Sequence, residues 1–248
     1  MTKIIRKFVL PGDLIVRGNY PPAPNTYQFE DGLHSLKVGL SEIEGKNVRV
    51  IPLAGKYIPR PDDLVVGVIV DMNAFAWSVD INSFFPAFLT ATDVFGKRYS
   101  PESVDLSSKF DIGDVIIARV AAYDRSKDPM LTVAGPKLGK VNGGYLMKIS
   151  PVKVPRLIGR RGSMSKMIEE ATGTRITIGQ NGVIVINGEP SKIPLAVKAI
   201  EMVEAQAHLA GLSVNVQNFL SKETGRDVKR PSDGPSRTEE SYDDGESE

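Results

Sequence analysis

Short apolar runs cut off by glycine and proline fill the first half of this 248-residue chain, a pattern that suits strands and turns. Within residues 1–61 the runs are Phe8-Val9-Leu10, Leu14-Ile15-Val16 and Val48-Arg49-Val50-Ile51. Pro11-Gly12-Asp13 and Arg17-Gly18-Asn19 are turn signals between them. A small N-terminal domain of β-hairpins is predicted, with Tyr20-Pro21-Pro22-Ala23-Pro24 as an exposed extended connector. Residues 62–135 continue as strand after strand. A β-branched run covers 64–70, Trp77-Ser78-Val79-Asp80-Ile81 alternates, and 84–89 is aromatic-rich. With 115–120 and 131–133 this makes about five strands, enough for a small closed barrel of the OB type over residues 62–136.

Residues 137–144 carry three glycines and two lysines and read as a flexible hinge. Beyond them the pattern turns to mixed α/β, over residues 145–220. A short strand is predicted at 152–154 and a helical turn at 155–158. Met164, Met167, Ile168 and Ala171 lie at helical spacing, and Gly173 stops that helix. Arg175-Ile176-Thr177-Ile178 and Val183-Ile184-Val185-Ile186 are strands joined by Gly179-Gln180-Asn181-Gly182. Asn-Gly between β-branched runs is a strong hairpin signal. A long apolar-rich helix is expected from about 191 to 210. Residues 221–248 have only Val228 and Tyr242 as sizeable apolar side chains and read as a disordered acidic tail. The fold class is therefore multidomain and mostly β, with a C-terminal α/β domain.

The net charge of +1 conceals an uneven distribution. Residues 1–61 carry +4, residues 62–135 carry −5, residues 145–220 carry +4 and the tail carries −4. A polyanionic partner would meet selected surfaces only. The absence of cysteine excludes disulfides, zinc fingers and thiol nucleophiles. No run approaches the roughly 20 apolar residues that would span a bilayer, and no stretch near Met1 resembles a signal peptide. A soluble, cytoplasmic protein without a membrane partner is expected.

Gly159-Arg160-Arg161-Gly162 carries the functional reading. Two glycines let backbone approach a phosphodiester, and the following helix N-terminus offers free N–H groups and a positive dipole end. Lys148, Lys153, Arg156, Arg160 and Arg161 lie in a stretch (145–163) with no acidic residue. A GxxG alone is usually a plain turn. Here the order of strand, helical turn, GxxG, helix, hairpin and long helix resembles a KH domain, whose loop clamps about four nucleotides of single-stranded nucleic acid. Leu157-Ile158-Gly159-Arg160-Arg161-Gly162 with Ile168, Thr172-Gly173 and Arg175-Ile176 is similar to that family's consensus. Ser165 stands where the family usually packs an isoleucine beneath the loop, with Met164 and Met167 as possible substitutes.

Gly67-Val68-Ile69-Val70 followed by Phe75-Ala76-Trp77-Ser78-Val79-Asp80-Ile81 resembles the OB-type domain repeated in the small-subunit ribosomal protein S-one. That family stacks bases on two aromatics and a histidine. Phe75 falls at the first aromatic position, while Ser78 and Thr90 replace the second aromatic and the histidine. Trp77, Phe84, Phe85 and Phe88 are expected in the core. Arg119, Arg125 and Lys127, read as one basic loop, either touch an RNA backbone or form a solvated turn.

The combination of small β domain, barrel and KH domain resembles the KH-containing RNA-binding cap subunits of the archaeal exosome. Val9-Leu10-Pro11-Gly12-Asp13, Lys56-Tyr57-Ile58-Pro59, Val65-Val66-Gly67-Val68-Ile69 and Ile112-Gly113-Asp114-Val115-Ile116 carry the resemblance, together with Gly162-Ser163-Met164 and Gly179-Gln180-Asn181-Gly182. It implies a non-catalytic subunit, with three such caps on a hexameric ring of phosphorolytic RNase subunits. The N-terminal domain would dock on the ring, and the barrels and KH domains would pass the 3′ end of single-stranded RNA inward. RNA-binding residues would then be Lys153, Arg156, Gly159, Arg160, Arg161, Gly162, Phe75, Arg119, Arg125 and Lys127. No metal or cofactor is expected. His34 and His208 read as structural, and the 135–141 run lacks the spacing and Ser/Thr of a phosphate loop. The alternative is an accessory RNA-binding factor of translation or transcription built from the same modules.

Overall fold

The computed structural model describes residues 5–228 except 22, 24, 46, 97–98, 103–104, 125–126, 208 and 210. The N-terminal part holds six short strands: β1 (Ile5–Val9), β2 (Leu14–Arg17), β3 (Thr26–Phe29), β4 (Gly32–Ser35), β5 (Gly39–Glu44) and β6 (Asn47–Pro52). They form two antiparallel three-stranded sheets, ordered β1-β5-β6 and β2-β4-β3. The hairpins expected from the turn signals are present.

The next part is a closed barrel of β7 (Leu64–Met72), β8 (Ala76–Asp80), β9 (Ala87–Thr90), β10 (Val115–Asp124) and β11 (Lys127–Thr132). The strands follow the order β11-β9-β8-β7-β10, and β10 pairs back onto β11 to close it. Between β9 and β10 lies a short helix, α1 (Ala91–Phe95). Alternation along β8 sends Trp77 and Val79 inward. The Trp77 ring is fully buried, lies edge-on to Phe110 at 5.3 Å, and donates its N–H to the Phe110 carbonyl at 3.0 Å. The expected hinge is not free: β12 (Gly139–Lys140) pairs with β10, and Lys140 bridges to Asp114. Glycine content signals conformational freedom in the unfolded chain, but an open sheet edge captured the segment.

The last part contains β13 (Tyr145–Lys148), α2 (Val154–Ile158), α3 (Ser163–Thr172), β14 (Arg175–Ile178), β15 (Val183–Asn187), α4 (Ile193–Gln206) and α5 (Leu212–Thr224). Its sheet runs β13-β15-β14, all antiparallel. Three expectations need correction. The strand placed at 152–154 is a 3-10 turn, Pro151–Lys153, leading into α2. Pro151 and Pro155 lack the ladder donor and preset a helical φ, which overrides the β-branched valines. The long helix ends at Gln206, and Gly211, in the left-handed region, starts a second one. The tail does not begin at Ser221, because residues 221–224 complete α5. Val228 is buried behind it, its carbonyl accepting from Gln217 Nε2 at 2.7 Å. Residues 229–248, the remainder of the predicted tail, lie outside the described residues.

The barrel and the KH-like part share a core. Val66 on β7 and Val183 and Val185 on β15 are buried together, flanked by Val115, Ile117, Val141 and Leu146. At the tip of the β14–β15 hairpin, Asn181 has no exposed surface. Its Nδ2 donates to the carbonyls of Val66 (2.7 Å) and Ile81 (2.9 Å), and its Oδ1 accepts from the Val66 N–H at 3.3 Å. Gln180 N–H donates to the Leu64 carbonyl at 2.7 Å, and Asn82 Nδ2 donates to the Asn181 carbonyl at 2.9 Å. A residue chosen for the turn is therefore also a clamp on the barrel.

Asn181→Ala strands three barrel backbone groups at once, and we expect about 3 kcal/mol of lost stability by chemical denaturation. Asn181→Asp sets a carboxylate against two carbonyls, so the folded state raises the pKa of the introduced acid. Stability of N181D is accordingly highest at acid pH and falls as pH rises through that shifted pKa. Equal denaturation midpoints for N181D relative to wild type at acid and neutral pH would contradict this account.

Candidate nucleic-acid interface

The 159–162 loop is exposed on the KH-like part. Gly159 caps α2 with φ 73°, Arg161 sits in the left-handed region at φ 51°, and Gly162 leads into α3 at φ 80°. Gly159 is required on two counts. Its φ disfavours a side chain, and a Cβ there would meet the Cβ and backbone N of Met164 at 2.8 Å. Arg161 adopts a conformation that costs a non-glycine residue about 1–2 kcal/mol, and strain of this kind gathers at functional sites. The isoleucine missing beneath the loop is replaced in two parts. Met164 and Met167 fill the core, while Ser165 Oγ donates to the Gly162 carbonyl at 3.1 Å.

The charges around the loop are left open to a ligand. Arg156, Arg160, Arg161 and Lys166 are exposed, and among the described residues none pairs with a carboxylate. The first turn of α3 has no acidic residue. Glu169 lies farther along the helix, its Oε1 accepting from the Ile176 N–H at 2.6 Å. A helix N-terminus flanked only by cations suits an anion such as a phosphodiester.

The other predicted residues are dispersed. Lys153 turns toward α4, its Nζ 3.7 Å from Glu204 Oε1, which also accepts from the Ser150 N–H. Phe75 is 67% exposed at the β7–β8 turn, its carbonyl accepting from the Ala91 N–H. The basic loop expected from 119 to 127 is instead the hairpin of β10 and β11. Arg119 lies within β10, donating Nη1 to the Asp62 carbonyl at 2.8 Å, and Lys127 opens β11. Arg125 lies outside the described residues, as does His208.

Of the aromatics expected inside the barrel, Trp77 is there and Phe88 is half-buried. Phe84 and Phe85 are instead 65% and 58% exposed, outside the core. Proline at 86 and the Ser83 turn break the alternation that would have taken one of them inward.

Two carboxylate pairs, Asp62 with Asp63 and Asp111 with Asp114, lie at turns. Asp63 accepts from the Tyr57 hydroxyl at 2.7 Å, and burial followed by that bond pushes the phenol far above its usual range. Asp114 accepts from the Asp111 N–H and pairs with Lys140, which together hold its carboxyl below the usual carboxylate range. His34 Nδ1 lies 2.9 Å from the Gly12 carbonyl. Among the described residues no three His, Asp or Glu side chains gather as metal ligands, and no helix is long and apolar enough to cross a membrane.

Residues 145–202 match the KH domain family, and residues 6–54 match the family described as the exosome RNA binding protein RRP4 N-terminal domain. The exosome complex component Rrp4 of Nitrosopumilus maritimus is 47% identical over 218 residues, which cover 88% of this chain and 96% of that protein. The exosome complex component Rrp4 of Methanothermobacter thermautotrophicus is 41% identical over 220 residues, covering 89% and 70%. The chain belongs to the exosome Rrp4 family. A solved crystal structure of a candidate exosome complex RNA-binding protein, 37% identical, superposes with a TM-score of 0.64 over 68% of this chain and 97% of its own. In the KH region the 159–162 loop combines a left-handed backbone at Arg161 with arginines that pair with no carboxylate among the described residues.

Thermal unfolding tests the loop geometry. Gly159→Ala, which meets α3 backbone, is expected to cost about 2–3 kcal/mol, and Gly162→Ala, which has room, about 1 kcal/mol. Arg161→Gly relieves the left-handed strain and is expected to melt no lower than wild type. Similar losses for both glycine variants would contradict the close approach of Gly159 to Met164.

Proposed function

We propose that this chain is a non-catalytic RNA-binding cap subunit of an archaeal exosome, working in the cytoplasm. It captures single-stranded RNA at the 159–162 loop and guides the 3′ end into a hexameric ring of phosphorolytic RNase subunits, with other cap subunits beside it, three per ring. The observation that carries this reading is the strained glycine-flanked loop with its unpaired arginines at the start of α3, in a chain of the Rrp4 family. The chain's own residues bind and orient RNA, and phosphorolysis takes place in other subunits.

Docking on the ring falls to the N-terminal part. Its two small sheets leave Phe8, Leu10, Leu14, Phe29, Leu36 and Val38 exposed, a concentration of apolar side chains that favours a protein partner. The net charge of +4 over residues 1–61 adds attraction toward an acidic surface.

Two measurements test the reading on the full chain. Fluorescence anisotropy with a labelled oligoadenylate should show Arg160→Asp with Arg161→Asp weakening binding and flattening the salt dependence. The slope of log K against log salt should shrink by about 1.4 for two lost phosphate contacts on a single strand, with the melting temperature retained. An unchanged slope would remove the loop from RNA binding. Separately, Phe8→Asp with Leu10→Asp should abolish co-purification with phosphorolytic RNase subunits and leave RNA affinity intact. Association with ribosomes alone would favour a translation factor instead.

A further inference from the structure

The sequence placed Phe84 and Phe85 in the barrel core, and the structure puts both at its surface in the loop between β8 and β9. That loop is held firmly. The Asn82 N–H donates to Asp80 Oδ1 at 2.8 Å, Ser83 Oγ donates to the Phe85 carbonyl, and the Phe85 N–H donates back to Ser83 Oγ at 3.2 Å. Ser83 also bridges to Tyr57. Two rings kept in water on a braced loop expose apolar surface that burial would have removed at about 25 cal/mol per Å².

The surroundings of these rings are cationic. Lys56 Nζ lies 5.5 Å from the centre of the Phe84 ring, within cation–π range, and among the described residues it pairs with no carboxylate. Strands β9 and β11 run parallel with Phe88 opposite Met130, so Lys127 at the start of β11 falls at the same end of the barrel as Phe84 and Phe85. Of the carboxylates at this end, Asp63 accepts from the Tyr57 hydroxyl and Asp80 from the Asn82 N–H, with Lys148 4.0 Å from Asp80, while Asp124 stands opposite Lys127 in the β10–β11 ladder.

This end of the barrel is also where the KH-like part is fastened. Asn82, two residues before Phe84, donates to the Asn181 carbonyl. The hairpin tip holding Asn181 bonds in turn to Ile149, whose N–H donates to the Gly182 carbonyl at 2.8 Å. From there the 3-10 turn and α2 lead to Gly159 over about 14 Å. Phe75 lies at the far end of β8, about 17 Å away along the strand.

We propose that Phe84, Phe85 and Lys56 form a second contact for single-stranded RNA, a base-stacking platform that engages nucleotides beyond those held at the 159–162 loop. This rests on reading the chain as an RNA-binding subunit. Phe84 has the ammonium group over its ring and remains largely exposed, so a base can stack on the open part. Lys56 meets the phosphate beside the stacked base. Stacking with adjacent cations is how single strands are held without sequence preference. The platform and the loop are joined through the Asn181 clamp and the valine core between the two parts, which limits the disorder a strand spanning both must overcome.

The test uses the full chain and fluorescein-labelled oligoadenylates of about 6 and 20 nucleotides, the shorter one sized to the four-nucleotide loop clamp. Phe84→Ala with Phe85→Ala should weaken the longer oligonucleotide on the order of tenfold and leave the shorter one unchanged. Phe84→Leu with Phe85→Leu should be as weak as the alanine pair, because apolar area without a π face does not stack, whereas Phe84→Trp with Phe85→Trp should bind at least as tightly as wild type. Arg160→Asp with Arg161→Asp should weaken both lengths, and if it weakens neither, the RNA-binding reading itself fails. Wild-type binding of the long oligonucleotide by the folded alanine pair overturns the platform alone. Loss of co-purification with RNase subunits by that pair, with RNA binding intact, reassigns the rings to a protein contact and overturns it equally.

Discussion

A primary amide sealed away from water has to find its hydrogen-bond partners inside the protein, and Asn181 finds all of its side-chain partners on another part of the chain. Three bonds to Val66 and Ile81, with Gln180 and Asn82 adding two more, tie the tip of one hairpin to the barrel. Breaking any one leaves a buried donor or acceptor unpaired, which costs more than the bond itself contributes. Such networks are all or nothing, and they specify one arrangement among the many that apolar contact alone would allow. The small valine-rich core around Val66, Val183 and Val185 supplies non-directional attraction, and the amide supplies the registry.

From that registry follows the placement of everything that could touch a nucleic acid. The 159–162 loop and the barrel end bearing Phe84 are joined through the hairpin that Asn181 ties to the barrel. Within the glycine-rich segment 137–144, Gly139 and Lys140 add a further tie as a two-residue edge strand against β10. The electrostatics fit the same arrangement. The barrel carries a net −5 over residues 62–135, yet Asp63 and Asp80 at the fastened end are occupied by hydrogen bonds, and among the described residues Lys56 there pairs with no carboxylate. On the KH-like part the arginines are unopposed. Field lines from a polyanion would therefore end at a few places on the chain.

Several features were legible without coordinates because they are local. The Gly159-to-Gly162 motif, the helical spacing of Met164, Met167 and Ile168, the Asn181-Gly182 turn and the alternation through Trp77 each announce themselves within a few residues, and each stands as expected. The failures have equally specific causes. Val152-Lys153-Val154 has the composition of a strand, but two prolines four residues apart wound it into a helical turn. Phe84-Phe85-Pro86-Ala87-Phe88 has apolar content without a period, so nothing in it says which rings point inward. Ser221 to Val228 has the composition of a tail, yet Leu220 and Val228 share the core with Val216.

Periodicity, turn chemistry and composition act over the span of one element, so strands, helices, the glycine-flanked loop and the absence of thiol chemistry were all written in the residue order. Burial and hydrogen-bond partnership are set by whatever segment arrives from elsewhere. Asn181 meets Val66 across 115 positions, Lys153 meets Glu204 across 51, and Arg119 spends its guanidinium on the Asp62 carbonyl 57 positions away. No reading of a local window contains those partners. The existence of a basic, glycine-flanked loop was thus a property of the sequence, while its placement relative to an exposed aromatic pair came only from packing between distant segments.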